Sequence, residues 1–136
     1  MQTSNASWKL VYTDKWGDFY IEEESVFLVE DDNKIYGDIW MKQEHSAAAL
    51  DDLANKSGTK EAKELAYNMK STVSHIQINQ REWEYRSLNR IIYDKNNKLI
   101  HEFRFVEPWH KFKPNSAISA ISEEFIRIYI NITSKK

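Results

Sequence analysis

Four histidines, His45, His75, His101 and His110, are the side chains best suited to proton transfer near neutral pH. They lie far apart, and none belongs to a His-x-x-x-His pair, so a zinc site would need distant strands to assemble it. His75 and His101 fall in strand-like runs and are expected on a strand surface or edge. His110 stands beside Trp109 in a segment bracketed by Pro108 and Pro114. Side chains of irregular segments point outward, which makes His110 the histidine best placed to meet a ligand. Glu22/Glu24 and Glu82/Glu84 have the two-residue spacing that puts both carboxylates on one face of a strand. Acid–base catalysis also needs surroundings that push the two pKa values apart, and nothing beside either pair does so.

Other chemistries drop out on composition. With no cysteine there is no thiolate nucleophile, disulfide or cysteine zinc site. Gly17, Gly37 and Gly58 are isolated, which excludes the glycine-rich loops that cradle phosphates, and no Gly-x-Ser-x-Gly elbow occurs. Glu30-Asp31-Asp32-Asn33 fails the calcium-loop alternation because Ile35 stands where a ligand should be. No cofactor, metal or catalytic residue is therefore expected. Arg81, Arg86, Arg90 and Arg104 interleave with Trp83, Tyr85, Tyr93, Phe103 and Phe105, a mixture able to stack bases and hold phosphates. A pI of about 6.1 argues against nucleic acid as the partner. The remaining candidate is an aromatic cleft around Trp40, Trp83, Trp109 and His110, with Tyr85 and Arg86 as further binding residues, open to a small ligand or substrate.

These residues need elements to hold them. Trp8–Tyr12 and Phe19–Ile21 flank a Gly17 turn, the pattern of a hairpin. Ser25–Val29 is a short apolar run, and Lys34–Gln43 alternates Ile35, Ile39 and Met41 with Tyr36, Asp38, Trp40 and Lys42. The period then changes. Ser46 and Thr59 are placed to cap two short helices that form an insert over about 46–68, lying on the sheet surface. Strands are expected over Lys70–Asn79, Trp83–Tyr93 and Leu99–Val106, with asparagine in the turns. Asn115 or Ser116 begins a last helix, about 116–131. Its residues Ile118, Ile121, Phe125, Ile128, Tyr129 and Ile132 fall within an arc of roughly 100°. Ile126 and Ile130 widen that arc to about 200°, more than a one-sided helix needs, and are expected to form a homodimer face.

The fold class is α+β: one domain over 8–132, with a mostly antiparallel sheet of about six strands and the long C-terminal helix packed on it. Residues 1–7 are expected to be a tail, and 133–136 a basic tail. The chain has 136 residues, 13% of them aromatic, with 3 Gly and 2 Pro, which excludes fibrous and low-complexity classes. Its apolar runs are too short to span a membrane. The net charge of −2 conceals a division, with seven Lys/Arg against fourteen Asp/Glu in residues 1–68 and twelve against seven in 69–136. Residues 18–32 hold seven acids and no base, expected to be a solvated strand edge and turn.

The order of features resembles the surface-adhesin protein E family of small exported bacterial proteins. The resemblance rests on Trp8-Lys9-Leu10-Val11-Tyr12, Gly17-Asp18-Phe19-Tyr20-Ile21-Glu22 with Ser25-Val26, and Ile39-Trp40-Met41-Lys42. Ser74-His75-Ile76-Gln77-Ile78-Asn79, Tyr85-Arg86, Tyr93-Asp94 and Trp109 followed by Lys113-Pro114-Asn115-Ser116 continue it to about residue 130. The chain departs from the family in lacking cysteine, with Asn79 near where many relatives place one, and in its longer helical insert. The resemblance implies an antiparallel sheet with a C-terminal helix, a secreted or cell-envelope location after removal of a signal peptide, and binding to host or matrix proteins. It brings no catalytic residues. A native start at Met1 would imply the cytoplasm instead.

Overall fold

The computed structural model describes residues 7–134 and the side chains to Asn131. The expected tail at 1–7 lies outside them apart from Ser7, as do the last two residues of the expected tail at 133–136 and the Ile132 side chain.

Alternating apolar residues build the strands, and a few special backbone positions turn them. β1 (Trp8–Asp14) and β2 (Gly17–Glu22) form the first hairpin. Gly17 has φ 130°, and a Cβ there would lie 2.0 Å from the Glu44 carbonyl oxygen, so neither dihedral nor space admits a side chain. β3 (Phe27–Asp31) and β4 (Lys34–His45) are joined through Asp32 and Asn33, both at positive φ, the geometry of a two-residue hairpin turn with the right twist. β5 (Met69–Asn79), β6 (Glu84–Asp94) and β7 (Leu99–Phe103) follow, then a two-residue strand β8 (His110–Lys111). Asparagine does supply turns: Asn33, Asn97 and Asn115 all have positive φ.

The strand order is β1-β2-β4-β5-β6-β7, every neighbour antiparallel. Two further strands lie off this path. β3 pairs with the first part of β4 while β2 pairs with the rest, and β8 pairs with the start of β6 while β7 pairs with its end. β4 and β6 each therefore carry two short partners end to end. The expected α+β class and antiparallel sheet are present, with eight strands where about six were expected.

The insert consists of α1 (Ala47–Asn55) and α2 (Lys60–Asn68). Ser46 Oγ accepts the Ala49 N–H and Thr59 Oγ1 the Ala62 N–H, both at 3.1 Å, so each cap satisfies a donor the helix leaves open. Only Leu50, Ala54 and Ala66 are buried in the pair, which fits a surface element. α3 (Ala117–Ser134) is capped by Ser116, whose Oγ accepts the Ser119 N–H at 3.2 Å. It runs three residues past the expected end, so residues 133 and 134 belong to the helix rather than to a tail.

Strand alternation sorts residues to two faces. Phe19, Ile21, Ile39, Met41, Ile76 and Ile78 meet Ile121, Phe125 and Ile128 of α3, and each such side chain, fully buried, stabilises by about 1.5–3 kcal/mol. The helix comes so close that a Cβ on Gly37 would lie 2.6–2.8 Å from three atoms of the Phe125 ring. Part of the excess apolar arc is absorbed here. Of the two residues expected at a dimer face, Ile126 packs against this core and lines a groove with Leu28 and Ile35, whereas Ile130 is 55% exposed. Residues of opposite parity, including Tyr20, Asp38, Trp40, Lys42, His75, Gln77 and Arg86, lie on the second face of the sheet, away from α3.

Candidate functional site

The second face holds a continuous row of polar and aromatic side chains that register assembles from three strands. β4 places Trp40 opposite His75 of β5, and Asp38 opposite Gln77; Gln77 in turn lies opposite Arg86 of β6. Trp40 and His75 stack, ring centres 4.8 Å apart and planes 12° from parallel. His75 Nε2 lies 2.5 Å from Asp38 Oδ1, and Gln77 Nε2 donates to Asp38 Oδ2 at 3.2 Å. Arg86 Nε then donates to Gln77 Oε1 at 2.9 Å. Its guanidinium lies 4.5 Å from the Trp109 ring centre and 5.8 Å from that of Tyr36, positions favourable for a cation over an aromatic face. Tyr36 packs on Trp109 and donates its O–H to Asp31 at 3.1 Å.

Asp38 is 3% exposed, and a carboxylate that dry must have its oxygens occupied. Both are. Each polar end in the row is passed to the next residue, so the aromatic planes and the guanidinium are held before any partner arrives. One acceptor in this neighbourhood is left over: Asn89, across from His75, gives its N–H to Glu102 at 3.1 Å, while its Oδ1 is buried with no partner among the described residues. Further along the same face Lys42 lies 5.1 Å from the Trp8 ring centre and 4.7 Å from Tyr20, and burial lowers its pKa. Burial, then the neighbouring Glu44 carboxylate, push the Tyr20 hydroxyl up to about 12.

An Asp–His pair is the orienting half of a general-base device. Here the other half is missing among the described residues. The hydrogen bond of the His75 ring runs to Asp38, its face is covered by Trp40, and no hydroxyl nucleophile is bonded to it. The geometry fixes the orientation of the His75 ring within the row.

The six expected binding residues divide between two clusters. Trp40, Arg86 and Trp109 join the row. Trp83, Tyr85 and His110 gather instead around Phe112: Trp83 lies 5.2 Å from its ring, Tyr85 6.5 Å from it, and His110 5.8 Å from Tyr85. The single cleft expected around Trp40, Trp83, Trp109 and His110 is thus not formed, because extended chain sends neighbouring side chains to opposite faces and Trp109 and His110 are neighbours. Trp83 is in a turn at φ 55°, 40% exposed, before β6 begins. His75 and His101 were expected on a strand surface or edge: His75 lies part-exposed on the second face of the inner strand β5, and His101 is on the edge strand β7. The acids of 18–32 are dispersed, since Glu22 is buried and Asp31 and Asp32 are at the β3–β4 turn.

Asp38, His75 and Gln77 are the members that sequence reasoning missed. Asp38 shares the parity of Trp40, and Gln77 that of His75, which is the signal that would have grouped them. Among the described residues no three His, Asp or Glu side chains are grouped to hold a metal, and no helix is long and apolar enough to cross a membrane. Compared with protein-family models, with curated proteins and with solved structures, the chain gives no match.

Proposed function

We propose that this chain is a non-enzymatic, adhesin-like binding module that holds a protein partner against the second face of its sheet. What supports the reading is the ordered row from Trp40 through His75, Asp38, Gln77 and Arg86 to Trp109. Tryptophan, tyrosine and arginine dominate the energetics of protein recognition, and residues fixed beforehand lose little entropy on binding. The sequence resemblance over residues 8–130 adds the partner class, a host-surface or matrix protein, and a secreted or envelope location.

The test is solid-phase binding of the full chain to a panel of purified extracellular-matrix proteins, comparing Arg86→Ala and Trp109→Ala with Trp83→Ala and His110→Ala. Saturable binding that falls at least about tenfold in the first pair and under about twofold in the second is expected. Absence of saturable binding across the panel, or equal losses in both pairs, would overturn the reading.

A further inference from the structure

The face under the helices carries a separate feature. α3 crosses the sheet over β1 and β4, and the insert stands over the far end of β4, so the strip of β5 and β6 between them is only partly covered. A cleft of about 460 Å³ opens there. That volume lies within the usual range for small-ligand sites. Met41 and Ile76 form its floor, Leu53 of α1 and Ile118 of α3 its walls, and Phe103 of β7 one side of its mouth.

Two observations separate this cleft from an ordinary packing gap. The first is Ser74, on the floor between Met41 and Ile76. It is 8% exposed, and its hydroxyl, which makes no hydrogen bond to another described side chain, faces the cleft and its water. A hydroxyl open to the cleft can exchange its water for one hydrogen bond to a ligand group seated there. The second is the charge balance of the lining. His45 is paired with Thr72 Oγ1 at 2.8 Å, and burial lowers its pKa, keeping it neutral. Arg90, at the mouth, is matched by Glu107 at 3.0 Å. No charge is left to meet a charged ligand, whose desolvation would go uncompensated. Outside the mouth, Ser87, Arg90, Phe103, Phe105 and Glu107 line an adjoining groove of about 210 Å³, where Phe105 is 57% exposed.

We propose that this cleft binds an uncharged, mainly apolar small molecule that makes one hydrogen bond to Ser74 and extends past Phe103 into the outer groove. The site is independent of the protein-binding face, since its lining has the opposite strand parity.

The experiment titrates the full chain with N-phenyl-1-naphthylamine, an uncharged fluorescent amine with one N–H, and in parallel with the anionic 1-anilinonaphthalene-8-sulfonate. Saturable one-to-one binding of the amine is expected, at least about tenfold tighter than the sulfonate. Ala117→Phe, which fills the cleft from α3, should weaken the amine at least about tenfold, and Ser74→Ala about threefold to tenfold. Leu65→Ala, on the exposed side of α2 and outside the lining, should leave it unchanged. Circular dichroism checks that each variant is folded, and Ser74→Ala carries the test if Ala117→Phe is not. No saturable binding of the amine, equal binding of the sulfonate, or an unchanged affinity in the folded cleft variants would each overturn the proposal.

Discussion

Replacing Gly37 with alanine tests how tightly α3 is keyed to the sheet. The added Cβ would lie 2.6, 2.7 and 2.8 Å from Cζ, Cε2 and Cε1 of Phe125. Carbon atoms rest at about 3.5 Å or more, so the ring must retreat by roughly 0.8 Å. It has little freedom to do so, being 7% exposed and stacked on Tyr129 at 6.2 Å with the planes 7° from parallel. Overpacking of this kind costs about 1–3 kcal/mol, offset by about 0.4–1 kcal/mol because alanine has less unfolded-state freedom than glycine. The net expectation is a loss of about 1–2 kcal/mol. At about 2.1 cal/mol/K per residue, a chain of 136 residues should then melt roughly 3–8 °C lower. Thermal melts followed by circular dichroism at one protein concentration would read it. In the Gly37→Ala/Phe125→Leu double variant the two costs should be sub-additive by about 0.5–2 kcal/mol, because the smaller side chain vacates the contested volume. A Gly37→Ala protein as stable as wild type, or strictly additive costs, would refute the argument.

Asp38→Ala removes the acceptor for both His75 and Gln77. Bonds to a charged group contribute roughly 1.5–3 kcal/mol each, and water can reach the partly exposed His75, so a loss of about 2–4 kcal/mol is expected in urea unfolding. A loss below about 1 kcal/mol would show that the row does not hold the strands. His45 has its pKa lowered from the ordinary 6.5 by burial. As pH falls through 6.5 the unfolded chain takes up a proton that the folded chain resists, so stability drops on acidification, and His45→Gln should flatten this dependence between about pH 7.5 and about pH 5.5. Parallel urea midpoints in the two proteins over that range would count against the assignment. Ser46→Ala removes both the Ala49 cap and the 2.5 Å bond from Ser46 Oγ to the Lys15 carbonyl, and should cost about 1–2 kcal/mol; an unchanged melting temperature would contradict it. Tyr20 should remain protonated beyond the ordinary tyrosine range, so Tyr20→Phe should remove the last-titrating phenol in an absorbance titration.

Local chemistry was the legible part of the fold. Ser46 and Thr59 cap the insert as their positions suggest, Asp32-Asn33 and Asn97 take the left-handed conformation their side chains tolerate, and the apolar stripe of α3 faces the sheet. What alternation does not encode is the partner. It marks β2 and β3 as strands, but not that both pair along one edge of β4. The run expected as a strand over Leu99–Val106 stops at Phe103, and the Glu107 N–H instead bonds the Ser87 carbonyl. The candidate site was half visible for the same reason. Trp40, Arg86 and Trp109 stand out by type, whereas Asp38, His75 and Gln77 acquire meaning only when the register brings β4 against β5.

The paired short strands along β4 and β6 also bear on how one molecule meets another like it. An exposed sheet margin is a template on which a foreign strand can grow, and its hazard rises with its length. Here the outward margins are divided among β1 with seven residues, β3 and β7 with five each, and β8 with two. A cross-β stack needs a flat run of about six or seven residues, ideally uncharged. β3 and β7 are shorter than that, and β3 ends in Glu30 and Asp31. β1 reaches the length but is bent by the irregularity between Leu10 and Tyr12 and carries Lys9 and Asp14. In a chain so rich in aromatics and so poor in proline, this fragmentation of the border does the protective work that proline performs elsewhere.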